Sequence, residues 1–459
     1  MRLRPLSSIN MAQLETRAAV GSRVAITPAR IAASRVMADL RAGTMLDAAL
    51  DSAARGLDAR DRRWLHELCF GSLRRRAWLD AVLESRVRGG LQRLHLDVRD
   101  LLRIGAYQLV AMDSVPAYAA IAQTVEQVKV SHGDGASRLA NAVLRRLDRE
   151  RDSLEPGTPA DPLDALALAH SHPRWIVARW LARWGADATR RLLEANNREA
   201  HTILRPVGIV REQLEAMLDE AGVATFEPAL DPGSLGVQHG VALTSVGAFQ
   251  QGLCFVQDPA ATMVTRYAAF PTGSVVADLC AAPGGKAFEL ARDARLVVAS
   301  DASVARLARV RESISRLDLK NVTALVADAR FPALAPMDGV LLDAPCTGTG
   351  TFRRHPDMRW RLKPSDLAVM SAVQRALLKT AATVVAPGGL LVYSTCSMEA
   401  EENDAQVESF LAEHPDFSLE PPPEGTVPDA VLDAGRLRVL PHLHGADGAF
   451  AARLRRRVS

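Results

Sequence analysis

Apolar residues recur at helical spacing from about residue 28 to 150, then give way to short unbroken runs. Ile31, Val36 and Leu40 open the pattern behind Thr27-Pro28, which reads as an N-cap followed by proline at the first helical position, where a missing N–H costs nothing. The same spacing predicts helices over Met45–Arg55, Asp61–Val87, Val98–Ala111, Tyr118–Val130 and Ala136–Arg149. The Pro- and Gly-rich stretch Leu154 to Pro162 predicts a linker. Helices carrying Trp175, Trp180 and Trp184 follow, at spacings that suit core packing better than base stacking. The texture then changes to β-branched runs and turns around Ile203–Val210 and Val237–Val246.

From about residue 251, apolar runs alternate with helix-length stretches: Val275–Leu279, Leu296–Ser300, Val322–Ala327, Gly339–Leu342 and Gly389–Ser394. Strands without clean alternation, separated by helices, predict a parallel sheet buried on both faces, with its ligand crevice beyond the carboxyl ends of the strands. The expected organisation is an N-terminal extension over 1–27, flexible, an all-α domain over 28–150, a linker over 151–162, a small α+β domain over 163–250 and a Rossmann-like α/β domain over 251–459.

Composition adds an asymmetry. Net charge over 459 residues is only +3, but residues 1–150 carry +8 and the remainder −5, which points the first third toward an anionic partner such as nucleic acid. Only five of 56 basic residues are lysines, so a lysine retained inside a motif is more informative than an arginine. Five cysteines without a C-x-x-C pair argue against a zinc site or disulfide framework, and His442 and His444 lack partner ligands and read as turn residues. The stretch from Met1 to Ile26 has no continuous apolar core of a signal peptide. The apolar stretch Thr380 to Met398 is interrupted by Pro387-Gly388-Gly389 and reads as helix, turn and strand. A soluble, cytoplasmic chain is expected.

Polar residues gather at the ends of the five predicted strands. The first runs into "DLCAAPGGK", Asp278 to Lys286, whose Pro283-Gly284-Gly285 lets backbone approach a ligand at a helix N-terminus. The second ends at Asp301, 23 residues on, the separation at which an acid meets a ribose diol, and the third at Asp328. The fourth ends in "DAPCTGTG", Asp343 to Gly350, and the fifth in "YSTCS" with Cys396. Each alone has an ordinary structural explanation: a turn glycine, a helix cap, a buried thiol. Their joint arrival at consecutive strand ends does not. G-x-G-x-x-G and G-x-x-x-x-G-K-[ST] are both absent, which disfavours a dehydrogenase and any pyrophosphate ligand. A nucleoside without phosphates, such as S-adenosylmethionine, fits.

"DLCAAPGGK", "DAPCTGTG", "RRHPD" and "YSTCS", in this order, resemble the RNA cytosine-5 methyltransferases, as do Gln257-Asp258-Pro259 before them and "GADGAFAARL" (Gly445 to Leu454) after. Residues 28–150 resemble a NusB-like RNA-binding domain through "DRRWLHELCFGSLRR" and "LANAVLRRL". The fusion is similar to the bacterial Fmu/Sun type, which acts on cytosine 967 of 16S rRNA. The resemblance implies S-adenosylmethionine as cofactor, held by Cys280, Ala281, Ala282, Pro283, Gly284, Gly285 and Lys286, with Asp301 on the ribose, Asp328 toward the adenine amine, and Asp343 also near the cofactor. Lys286 then reaches either the cofactor carboxylate or the target nucleotide. It further implies Cys396 as nucleophile at cytosine C6, Cys346 in resolving the adduct, and Asp343 at the N3/N4 edge of a flipped-out base. The spacing itself does not separate the two cysteines; a DNA methyltransferase would use Cys346 as nucleophile. Arg353-Arg354-His355 would suit an RNA phosphate path. A monomer acting on 16S rRNA, free or in an assembling subunit, without metal or membrane, is expected; a non-catalytic rRNA-binding assembly protein is the alternative of a different class. Two departures stand out: "LRPVG", with Pro206, where the family commonly has an Arg-Val-Asn strand, and Met398-Glu399-Ala400 in place of Val-Leu-Pro.

Overall fold

A computed structural model describes residues 25–238 and 241–458, so most of the expected 1–27 extension lies outside the described residues. The chain divides into two compact units, 1–185 and 186–459.

The first unit is helical among its described residues. Its helices span Pro28–Arg41, Leu46–Ala53, Ala59–Arg74, Arg76–Glu84, Leu96–Ala111, Ala117–Arg149 and Pro162–Ala169. The expected single helix over Asp61–Val87 is two, parted at Arg75 (φ −99, ψ 13). The two helices expected on either side of residue 133 meet there, because Gly133 (φ 79, ψ −176) breaks the helical path. Thr27 takes the extended N-cap conformation, but its side chain does not cap; its hydroxyl accepts from Arg30 at 3.1 Å instead. Trp180 is buried in this unit and meets Trp184 at 6.3 Å between ring centroids, as core packing requires. Gly185 (φ 76, ψ 179) interrupts the helix Arg174–Asn197 where the two units divide, so the helices after the 151–162 segment group with the first unit.

The second unit holds two sheets. Strands β1 (Thr202–Pro206), β2 (Thr225–Phe226), β3 (Leu235–Val237) and β4 (Cys254–Val256) form an antiparallel sheet in the order β2-β3-β1-β4. Pro206 occupies the last register position of β1, opposite Cys254. The larger sheet contains β5 (Val275–Asp278), β6 (Leu296–Asp301), β7 (Val322–Val326), β8 (Met337–Asp343), β9 (Val385–Thr395), β10 (Phe417–Leu419), β11 (Leu432–Asp433), β12 (Arg436–Val439) and β13 (Ala449–Arg456). Its order is β11-β12-β13-β9-β8-β5-β6-β7, with β10 also on β13. β5 to β9 are parallel; β13 runs antiparallel beside β9.

Alternate residues of these strands feed two separate cores. Val276, Val297, Ala299 and Val392 pack on one face, and Ala277, Val298, Leu391 and Tyr393 on the other. Both faces are dry, which is why the strands read as unbroken apolar runs. The small sheet is joined to the large one by Phe255, whose ring meets Phe288 at 5.7 Å, and by buried Arg205, which pairs with Asp231 at 3.1 Å and with Glu289.

Candidate active site

Strand order reverses between β5 and β8, and both carry an aspartate at their carboxyl ends. A cavity of about 390 Å³ lies at this point. Cys280, Ala281, Ala282, Pro283, Gly285 and Lys286 of the predicted loop line it, with Asp278, Asp343 and Cys396. Glycine is required in this loop: Gly284 adopts φ 109, and a Cβ there would sit 2.3 Å from the Phe288 ring. A Cβ on Gly285 would sit 2.4 Å from Gln257 Oε1. Asp301 stands behind the loop, taking the Ala282 N–H at 3.3 Å and the Ser303 N–H at 2.9 Å. Asp328 lies beyond β7, bound to Arg330 Nε at 3.0 Å through both oxygens; neither it nor Asp301 lines the cavity.

Three charged groups share the cavity floor. Lys286 Nζ donates to Asp343 Oδ2 at 2.7 Å, and Ser394 Oγ donates to Asp343 Oδ1 at 2.7 Å. Asp343 thus accepts through both oxygens. Burial lowers the Lys286 pKa, but Asp343, its hydrogen bond, Asp278 and Cys396 outweigh it, so the ammonium is held above its ordinary range. Asp278 is buried with both carboxyl oxygens lacking a hydrogen-bond partner among the described residues. Burial first, then the Asp343 charge, pushes its pKa up to about 7, against the pull of Lys286. The sequence reading used Asp278 only as the start of a motif; its burial is what marks it.

The two motif cysteines meet. Cys346 Sγ and Cys396 Sγ are 3.2 Å apart; Cys396 lines the cavity and Cys346 does not. The hydrogen bond to Cys396, then burial and the charges of Cys396 and Glu402, hold the Cys346 thiol well above its ordinary range. Either sulfur can donate in this contact. Burial pushes the other cavity thiol, Cys280, up to about 12.

Glu402, which sequence reasoning missed, ties these loops together. Fully buried, it accepts from Thr347 N and Gln374 Nε2, each at 2.9 Å, and from the hydroxyls of Thr347 and Ser397. Thr347 follows one cysteine and Ser397 the other, so one carboxylate sets both. Asn403 adds a bond from Nδ2 to Ser397 O at 2.8 Å. Backbone completes the clamp: Gly350 N donates to Cys396 O at 2.9 Å, and Gly448 N to Gly350 O at 2.8 Å.

Arg353 and Arg354 do not form an open phosphate path. Arg354 pairs with Asp258 at 2.5 Å and Asp447 at 2.7 Å, and Arg353 reaches the same two at 3.2 and 3.3 Å. Asp258 also caps the helix Pro259–Ala268 through Ala260 N at 2.9 Å and accepts from Asp447 N at 3.0 Å. The two flanking motifs thus meet in one ion cluster on the cavity wall, and the arginines are consumed in it.

Comparison with known proteins follows this geometry. Three family models match: "16S rRNA methyltransferase RsmB/F" over residues 269–455, "NusB family" over 27–149, and "Methyltr_RsmF/B-like, ferredoxin-like domain" over 172–244. A probable ribosomal RNA small subunit methyltransferase B of Synechocystis sp. is 33% identical over 93% of this chain and 99% of its own. The ribosomal RNA small subunit methyltransferase B of Vibrio cholerae is 33% identical over 92% and 95%. The crystal structure of PH0851 superposes with a TM-score of 0.78 at 27% identity, covering 94% of this chain and all of that one.

Proposed function

The chain belongs to the 16S rRNA methyltransferase RsmB/F family, and from that premise we propose that it transfers a methyl group from S-adenosylmethionine to C5 of a cytosine in 16S rRNA. Cytosine 967 is the position we assign, on the fusion of a NusB-like domain to this catalytic domain. Its place of action is the cytoplasm, as a monomer on free rRNA or an assembling subunit; among the described residues no helix is long and apolar enough to cross a membrane.

The observation that carries the reading is the asymmetry of the thiol pair: Cys396 lines the cavity while Cys346, 3.2 Å from it, does not. Cytosine C5 is a poor nucleophile until a group adds at C6. Cys396 Sγ, as thiolate, forms the bond to C6 and pushes the electron pair toward C5, while Lys286 and Asp343 hold the N3/N4 edge, with Lys286 carrying the positive charge that the ring's developing negative charge needs. Bound in the loop, S-adenosylmethionine supplies the methyl group that C5 takes. Cys346 helps resolve the adduct: once the C5 proton has left to water, the electron pair of that C–H bond restores the ring double bond and the Cys396–C6 bond breaks, its electrons returning to sulfur.

The cavity fits this cofactor on its own terms. Buried Asp278 lines the cavity and, when ionised, would be a counter-charge for a cation such as the methionine ammonium or sulfonium. Gly284 and Gly285 keep the loop free of side chains that would collide with its own framework. Cys280 to Lys286 would hold the nucleoside and methionine, with Asp301 on the ribose diol and Asp328 at the adenine. Both acids now bond to protein groups, so each exchanges a partner on binding.

Transfer of tritiated methyl from S-adenosylmethionine to unmodified small-subunit rRNA tests the proposal. Label recovered as 5-methylcytosine at one site, and lost in Cys396→Ala with cofactor binding retained, is expected. Label in duplex DNA but not rRNA, dependent on Cys346, overturns it, as does rRNA binding without transfer.

A further inference from the structure

Away from the cleft residues, the first unit brings together His95, Asp97 and His132, which sit within 4.8 Å of one another through ligand-type atoms; no other group of three or more His, Cys, Asp or Glu does so among the described residues. His95 is the N-cap of the helix Leu96–Ala111 and Asp97 lies in its first turn. His132 ends the first half of the helix Ala117–Arg149, one residue before Gly133. His132 Nε2 stands 2.9 Å from His95 Nδ1 and 3.6 Å from Asp97 Oδ2, and His95 Nδ1 is 3.4 Å from the same oxygen.

The surrounding hydrogen bonds fix what these atoms offer. Ser131 Oγ donates to Gln127 O at 2.7 Å, so it accepts from His132 Nδ1 at 2.8 Å; Nδ1 carries the ring proton and Nε2 the lone pair. His95 Nδ1 accepts the Asp97 backbone N–H at 3.3 Å, so it carries no proton, and its one lone pair would exchange that long bond for an ion. Asp97 uses its other oxygen for Arg41 and keeps Oδ2 for the cluster. Three acceptors therefore converge with no side-chain proton of their own between them. A cation answers this arrangement. Around a tetrahedral zinc ion with bonds of about 2.0–2.1 Å, ligand atoms lie roughly 3.3–3.4 Å apart, close to the triangle seen here.

We propose that His95, Asp97 and His132 bind one divalent ion of the zinc type, the fourth position being open to solvent on the exposed His95 side. The ion takes the place of a proton between the two imidazoles. Ser131 is a positioning residue that holds the His132 ring in the metal-binding tautomer. Arg41 shares the Asp97 carboxylate, so the site is weaker than one made of three unshared ligands. Bound metal would pin the start of one helix to the end of another at the Gly133 break.

The test uses the full chain after chelator treatment, dialysed against Zn²⁺ and, separately, Co²⁺. One equivalent of zinc, an intense visible Co²⁺ band of four-coordinate type, and protection of His95 from diethylpyrocarbonate are expected. His132→Gln and His95→Gln should weaken zinc by at least tenfold and Ser131→Ala by roughly ten- to a hundredfold, while the double variant Cys346→Ala/Cys396→Ala binds as before. Melting curves in chelator show whether each variant folds; the protection of His95 needs no variant at all. No retained zinc and no protection overturns the proposal. So does zinc lost from the cysteine variant but kept by the histidine variants.

Discussion

A buried carboxyl group beside another carboxylate holds its proton longer than its chemistry asks, and burial with the Asp343 charge pushes the pKa of Asp278 up to about 7. A cation bound beside it draws on the ionised form, so S-adenosylmethionine affinity should rise with pH and level off above 7, by about tenfold between pH 6 and 8. Asp278→Asn should bind weakly and without that slope, as titration calorimetry at several pH values would read. Glu402→Gln should leave cofactor affinity intact yet slow turnover roughly 5- to 150-fold, since misplaced acceptors on both cysteine loops cost about 1–3 kcal/mol; a matching loss of cofactor binding would mean Glu402 only supports the fold. The cysteines and the glycine loop are legible in the sequence because few residue types can do their work at those spacings. Asp278 and Glu402 are not, because "EAEEN" reads as a solvated acidic run until its surroundings are known. Arg353 and Arg354 misled for the same reason: their carboxylate partners lie 93 to 96 residues away in the chain, beyond any local pattern. His95 and His132, 37 residues apart, likewise carry no metal-ligand spacing.

Elements were legible in proportion to their burial. The five parallel strands announce themselves because both faces are dry, whereas β2 and β11, two residues each, offer no pattern to find. The helix break at Gly133 was legible, because the helical pattern lapses between Val130 and Ala136; the break at Arg75 was not, because no residue type there marks it. The contact between the loops after β8 and β9 is backbone to backbone: a Cβ on Gly350 would lie 2.6 Å from Cys396 O and 2.7 Å from Gly448 Cα. Gly350→Ala should therefore push the cysteines apart, removing methyl transfer while the cofactor, on the other side of the cavity, still binds. Asp258 is both a helix cap and the anion of two buried arginines. Asp258→Ala should lower stability by about 3–5 kcal/mol in urea unfolding, because it strands charges that the protein cannot rehydrate.

Over the whole molecule, charge and chemistry are carried by different parts of the chain. The +8 over residues 1–150 precedes a catalytic region of opposite sign. Rising salt should weaken RNA binding by about tenfold or more between 50 and 200 mM while leaving cofactor affinity flat, which filter binding and calorimetry would separate. Sequence placed a boundary in the 151–162 segment, where composition changes; the compact units divide at Gly185, where the backbone does. Composition reports solvation, and a single glycine within an amphipathic run leaves it unchanged. The ion cluster on the cavity wall has one more consequence. Asp258 and Asp447 are bonded across 189 residues, and β13, which follows Asp447, lies between β9 and β12 in the sheet. During synthesis every other wall of the cleft has left the ribosome before this last one exists, and loop closure over such a span is slow. The cleft wall is therefore complete only once the residues past Asp447 have been made and β13 has inserted between β9 and β12.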